Sequence, residues 1–128
     1  MPGKKQSKKI VIADDEPEII DLLRQVITAR GFTQVRDAPD GKKALDLIDA
    51  DVPDLLILDM NMPTMNGYEV IARLKGSLHT RDIPVIILSG HYIDEQRISC
   101  GSIKNIFFIP KPFDNEALLT MVENILGK

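Results

Sequence analysis

The chain has no tryptophan, a single cysteine, two histidines, two tyrosines and four phenylalanines. Each scarcity removes a class of protein. With Cys100 alone, no intramolecular disulfide can form and a cysteine-based metal cluster is excluded. A lone thiol, read as inert and partly buried, fits a reducing interior. No apolar run approaches the ~18–20 residues of a membrane span, and nothing resembles a signal peptide, so the expected setting is the cytoplasm, with no membrane partner. Surplus positive charge is also lacking. The net charge of −3 argues against a nucleic-acid-binding module, which would show a basic face. The local exception is the cluster Lys4, Lys5, Lys8 and Lys9.

With so few aromatics, the core must be built from isoleucine, leucine and valine. A length of 128 residues suits one domain large enough to bury such a core without staples. Residues 1–7 read as a disordered basic lead-in, and 8–126 as the domain. Short apolar runs occur at Ile10–Ala13, Thr33–Arg36, Leu55–Leu58, Val85–Leu88 and Ile106–Ile109. Several are apolar throughout rather than alternating, as expected of strands buried on both faces.

Helical periods lie between them. Pro17 suits a first helical position, with Ile19, Leu23, Val26 and Ile27 forming a stripe that ends at Gly31. Asp40 can cap a helix carrying Ala44, Leu45 and Ile48, and Gly67, Val70, Ile71 and Leu74 mark another. Residues 93–100 give a fourth helix with a poor stripe. Asp114 can cap the last, with Leu118, Met121, Val122 and Ile125 at helical spacing and Phe113 placed to staple onto Leu118. Strands alternating with helices predict an α/β fold, a parallel sheet covered on both faces. Right-handed crossovers then put every strand's carboxyl end on one edge, where ligands of such sheets bind.

The residues that follow the strands are therefore the informative ones. Asp14, Asp15 and Glu16 follow the first strand, Asp59 and Asn61 the third, Ser89 the fourth and Lys111 the fifth. Two carboxylates ~4 Å apart repel by about 4 kcal/mol at an effective dielectric near ~20. Asp14, Asp15 and Asp59 on one edge thus call for a shared proton or cation. An all-oxygen set with few protein ligands suits Mg²⁺, which keeps several waters and accepts phosphate oxygens. With Lys111 beside it, such a site offers positive charge to a phosphoryl group.

These residues carry a resemblance. Ile10-Val11-Ile12-Ala13-Asp14-Asp15-Glu16-Pro17, Leu58-Asp59-Met60-Asn61-Met62-Pro63, Met65-Asn66-Gly67, Ile87-Leu88-Ser89-Gly90 and Pro110-Lys111-Pro112-Phe113 together resemble the receiver domain of two-component response regulators. Order and separation agree from about Lys8 to Leu126. The resemblance implies a flavodoxin-like, doubly wound five-stranded parallel sheet of order 2-1-3-4-5 with five helices. It implies that Asp59 accepts a phosphoryl group from a phosphohistidine on a sensor histidine kinase or phosphotransfer protein. Asp15 is implied as a direct Mg²⁺ ligand, Asp14 as one acting through water and Asn61 as the donor of a backbone carbonyl, with Asp59 completing the metal site. Lys111 is implied to pair with a phosphoryl oxygen, Ser89 to hydrogen-bond another, and Phe108 to be the aromatic that turns inward when Ser89 moves. A cis Lys111–Pro112 bond is implied as well. Gly90 departs from the alanine usual in the family, and the stretch 101–105 lacks its usual Gly-Ala segment.

Plainer readings apply elsewhere. Met60, Met62 and Met65 read as loop packing and His79 as a surface residue. His91, two residues after Ser89, is read as solvated or as tuning dephosphorylation. A phosphatase of the haloacid-dehalogenase type needs a second aspartate two residues after the nucleophile, where this chain has Asn61. A flavin-binding module needs a glycine- and hydroxyl-rich loop where this chain has Asp-Asp-Glu-Pro. The remaining alternative is a receiver-fold interaction module that works without phosphorylation. The expected protein is a switch that catalyses only its own phosphorylation and autodephosphorylation. Its output partner would bind the face formed by the fourth helix, fifth strand and last helix, and a homodimer through that face is a further expectation. Met1 and the lead-in read as a natural start, favouring a stand-alone regulator over an excised piece.

Overall fold

A computed structural model describes residues 4–90 and 105–127. Five strands form one parallel sheet: β1 (Lys9–Ala13), β2 (Gln34–Ala38), β3 (Leu55–Asp59), β4 (Val85–Ser89) and β5 (Ile106–Pro110). Their spatial order is β2-β1-β3-β4-β5. The implied topology is therefore the observed one. In register, Ile12 lies opposite Asp37 on one side and Ile57 on the other, and Leu58 lies opposite Ile87.

The helices among the described residues are α1 (Lys4–Ser7), α2 (Pro17–Ala29), α3 (Gly41–Ala50), α4 (Gly67–Lys75) and α5 (Asn115–Leu126). The helix expected over 93–100, with His91 and Cys100, lies outside the described residues. Alternate strand residues serve opposite faces, which is why uniformly apolar runs were needed. Val11, Leu56, Leu58, Val85 and Ile87 pack against Ala44 and Ile48 of α3 and Val70, Ile71 and Leu74 of α4. Ile10, Ile12, Leu55, Ile57 and Ile86 pack against Leu23 and Ile27 of α2 and Leu118, Val122 and Leu126 of α5. No helix among the described residues is long and apolar enough to cross a membrane.

Local signals explain most boundaries. Pro17 opens α2, and the Asp40 side chain caps α3 by accepting the Lys43 N–H at 2.8 Å. Asn66 does the same for α4, accepting from Glu69 N–H at 3.1 Å. Asp114 stands at the N-cap of α5 but its side chain makes no cap hydrogen bond, so the expected cap is absent. Phe113 packs against the same core cluster as Leu118, as the staple requires.

Two expectations need correction. The second strand runs to Ala38 rather than ending at Arg36, because Asp37 and Ala38 continue the pairing with Ile12 and Ala13. Residues 4–7, read as part of a disordered lead-in, form the short helix α1. The reason is a distant partner. Lys5 Nζ reaches Glu123 of α5 at 2.6 Å and the carbonyl of Arg30 at 3.0 Å, and lies 5.4 Å from the centre of the Phe32 ring.

Candidate functional site

The strand order reverses between β1 and β3, and the polar residues that end these strands meet there. Asp14, directly after β1, is 1% exposed, and Asp59, the last residue of β3, is 4% exposed. Asp15 follows on the exposed side. Carboxylate oxygens of Asp14, Asp15 and Asp59 lie within 4.8 Å of one another. Lys111, just past β5, reaches the group. Its ammonium is 3.0 Å from Asp14, 3.6 Å from Asp59 and 3.7 Å from Glu16. The backbone aims it: Lys111 N–H donates to the Ser89 carbonyl at 2.9 Å, and the Lys111–Pro112 peptide bond is cis.

The charges do not balance. Burial, then the neighbouring Asp14 carboxylate, pushes Asp59 up to about 6, against the opposing pull of the Asn61 N–H and the Lys111 ammonium. Burial also works against the Lys111 ammonium, but the hydrogen bond to Asp14 and the charges of Asp14, Asp59 and Glu16 outweigh it, so its pKa is raised. One ammonium stabilises three carboxylates only in part, and Asp59 is left with affinity for a further positive charge.

The other expected residues fall around this centre. Asn61 is exposed, and its backbone N–H donates to Asp59 Oδ1 at 3.3 Å. Ser89, the last residue of β4, is buried, and it pairs in register with Pro110. Phe108 lies opposite Ile87 and is 38% exposed, outside both core clusters. The structure thus brings Asp14, Asp15, Asp59 and Lys111 together, with Asn61 bonded to Asp59 and Ser89 bonded to Lys111 through the backbone. Phe108 stands apart on the edge strand. Glu16, noted in the sequence only as a neighbouring acid, proves to be a Lys111 partner. Beside the carboxylates a cleft of about 290 Å³ opens, lined by Pro17, Ile20, Asp21, Asp37 and Pro39 as well as Asp14 and Asp15.

A family model described as the response regulator receiver domain matches residues 10–123. The chain belongs to the response regulator receiver domain family. Relatives of this receiver domain include the response regulator MprA of Mycobacterium tuberculosis, 33% identical over 122 residues, covering 95% of this chain and 52% of the relative. The transcriptional regulatory protein CpxR of Escherichia coli is 34% identical over 120 residues, covering 94% of this chain and 50% of CpxR. The chain therefore spans about half the length of these curated relatives. Among solved structures, the signal receiver domain of a signal transduction histidine kinase from Syntrophus aciditrophicus superposes with a TM-score of 0.81 at 31% identity, covering 94% of this chain and 90% of that one. The chemotaxis protein CheY4 of Vibrio cholerae superposes equally well, at 0.81 with 25% identity, covering 93% and 98%. The matched span lies inside the 8–126 expected for the domain.

Proposed function

We propose that this receiver domain is a phosphorylation-dependent switch in which Asp59 accepts a phosphoryl group from a phosphohistidine on a sensor histidine kinase or phosphotransfer protein. The observation that carries this reading is the buried Asp59 carboxylate, held between two further aspartates and a lysine at the point where strand order reverses. An Asp59 oxygen attacks phosphorus, the P–N bond to the donor imidazole breaks, and its electron pair returns to the ring nitrogen, leaving an acyl phosphate. Hydrolysis of that bond by water resets the switch, so the chain catalyses only its own phosphorylation and dephosphorylation.

The donor set fits Mg²⁺. Three carboxylates converge, and Asp59 is pushed up to about 6 when no cation beyond Lys111 attends it. Asp15 directly, Asp14 through water, Asp59 and the Asn61 carbonyl would hold the ion, which when bound neutralises charge on phosphoryl oxygens. Lys111 pairs with a phosphoryl oxygen. Ser89, on the adjacent strand end, takes another, and Phe108 turns inward as that loop shifts. The added phosphate brings ~1.5–2 negative charges to the strand ends, and the partner-binding face responds. The proposed setting is cytoplasmic, and the partners are proteins.

Incubation with Mg²⁺ and acetyl phosphate tests this directly. Intact mass should rise by one phosphoryl group, the label should map to Asp59, and both Asp59→Asn and chelation should abolish it. A wild-type protein that stays unmodified would overturn the reading in favour of a receiver fold working by contact alone.

A further inference from the structure

We infer that Gly41 and Gly67 are positioning residues for the Asp59 site, two helix starts seated so closely on the segment 60–66 that they fix the backbone carrying Asn61. The inference rests on the reading of Asp59 and Asn61 given above and extends it to residues outside the charged cluster. Gly67 opens α4 and Gly41 opens α3. Neither has a positive φ, so backbone conformation does not demand glycine at either place. Alanine is the better helix former, so helix propensity does not explain them.

Close approach does. A methyl group on Gly67 would overlap Met60 Sδ and lie 2.7 Å from Met60 Cα and 3.1 Å from the Asp59 carbonyl oxygen. A methyl on Gly41 would overlap the Met65 carbonyl oxygen and lie 2.8 Å from Val70 Cγ2. Met60 Sδ, at the end of a flexible side chain, can move aside, but Val70 is fully buried and the backbone atoms can yield only if the segment itself shifts. The segment between the two seats is tightly wound. Gly67 N–H donates to the Met60 carbonyl at 3.0 Å, Met65 N–H to the Pro63 carbonyl at 2.6 Å, and Thr64 has a φ of 67°. Its first residues bear on the site, because Asn61 N–H is hydrogen-bonded to Asp59 Oδ1. Gly67 touches the end next to Asp59 and Gly41 the far end, so their effects should be graded.

The experiment compares Gly67→Ala, Gly41→Ala and Gly76→Ala by titration calorimetry with Mg²⁺ alone, by thermal midpoint, and by the Asn61 amide resonance of the metal-free protein. Gly76, at the C-cap of α4 away from the segment, is the control. Gly67→Ala should weaken Mg²⁺ binding by about tenfold or more in the folded protein, as for other supports of a metal ligand. Gly41→Ala should give a smaller loss and Gly76→Ala none. The Asn61 resonance should move in the first two variants only. Adding Met60→Ala to Gly67→Ala should not restore binding, since backbone contacts remain. A folded Gly67→Ala that binds Mg²⁺ as wild type does, or full rescue by Met60→Ala, overturns the inference alone. If Gly67→Ala does not fold, Gly41→Ala decides: binding equal to wild type overturns it. Wild-type protein that binds no Mg²⁺ overturns the reading of the site and the inference with it.

Discussion

The two ends of the sheet treat buried acids in opposite ways. At the amino ends of the strands Glu123, 9% exposed, is met by two cations, Lys5 at 2.6 Å and Arg30 at 3.0 Å. Arg30 is held on its outer side by both Glu116 oxygens at 2.8 Å. At the carboxyl ends Asp14, Glu16 and Asp59 share Lys111, and Asp15 adds a further carboxylate beside Asp14 and Asp59. One cluster is neutralised within the chain. The other is left short of positive charge, and a fold retains such a shortage where an outside cation or a reaction makes use of it. The comparison suggests that charge satisfaction, more than burial, separates the part of this molecule that holds it together from the part that responds.

Removing Lys111 should break the comparison most severely. Lys111→Met leaves Asp14, nearly sealed from water, without its hydrogen-bonded ammonium. Loss of one partner from a buried pair typically costs ~3 kcal/mol, and urea unfolding at pH 8 in a chelator should show a loss of about that size. The loss should shrink toward pH 5, because Asp59, already pushed up to about 6, then holds a proton and no longer calls on the missing cation. An equal loss at both pH values would show that Lys111 acts by packing and not by charge.

The next effect has the opposite sign. Asp59 is pushed up to about 6 from an ordinary 3.8, so between those values the folded chain holds a proton that the unfolded chain has released. Stability from this group is complete below about pH 4 and is lost as pH rises through about 6, since the unfolded state binds fewer protons across that window. Asp59→Asn cannot titrate. Without Mg²⁺ it should match wild type near pH 4 and exceed it above pH 7 by on the order of 2 kcal/mol. Mg²⁺ should narrow the difference by stabilising wild type more than the variant, which lacks one of the carboxylates that would hold the ion. Urea midpoints across pH, with and without the ion, measure both. A variant no more stable than wild type at pH 8 would mean that the carboxylate is already satisfied within the chain.

The same contrast explains what could be read in advance. The sheet was legible because Leu55–Leu58 and Val85–Leu88 are apolar at every position, which only two-sided burial demands. The site was legible because its residues sit at or directly after the carboxyl ends of strands, and a parallel sheet gathers strand ends without any knowledge of side-chain packing. Glu16 as a Lys111 partner was not, since its reach depends on the turn into α2. The roles inferred for Gly41 and Gly67 are equally hidden, as the space that excludes a methyl group belongs to other segments. The missing Asp114 cap was not legible either, since the residue stands at the N-cap position and only its side-chain hydrogen bond is absent. Least legible was α1. Lys4–Ser7 has no apolar stripe, and what orders it is an acid 118 residues away.

That contact gives the smallest of the expected effects and the sharpest check on the amino-end cluster. Lys5→Met keeps an unbranched aliphatic side chain and removes the charge, and Glu123→Gln keeps shape and removes the acceptor charge. Neither single change isolates the pair, because Arg30 still faces Glu123 in the first and Lys5 still donates to the Arg30 carbonyl in the second. The double-mutant cycle does isolate it, and the coupling should be about 1 kcal/mol, near the top of the range for pairs open to solvent on one side. A coupling near zero would return residues 4–7 to the disordered lead-in that their composition suggests. A coupling as large as the loss at Lys111 would erase the distinction between the two ends, because the chain would then depend equally on a balanced cluster and an unbalanced one.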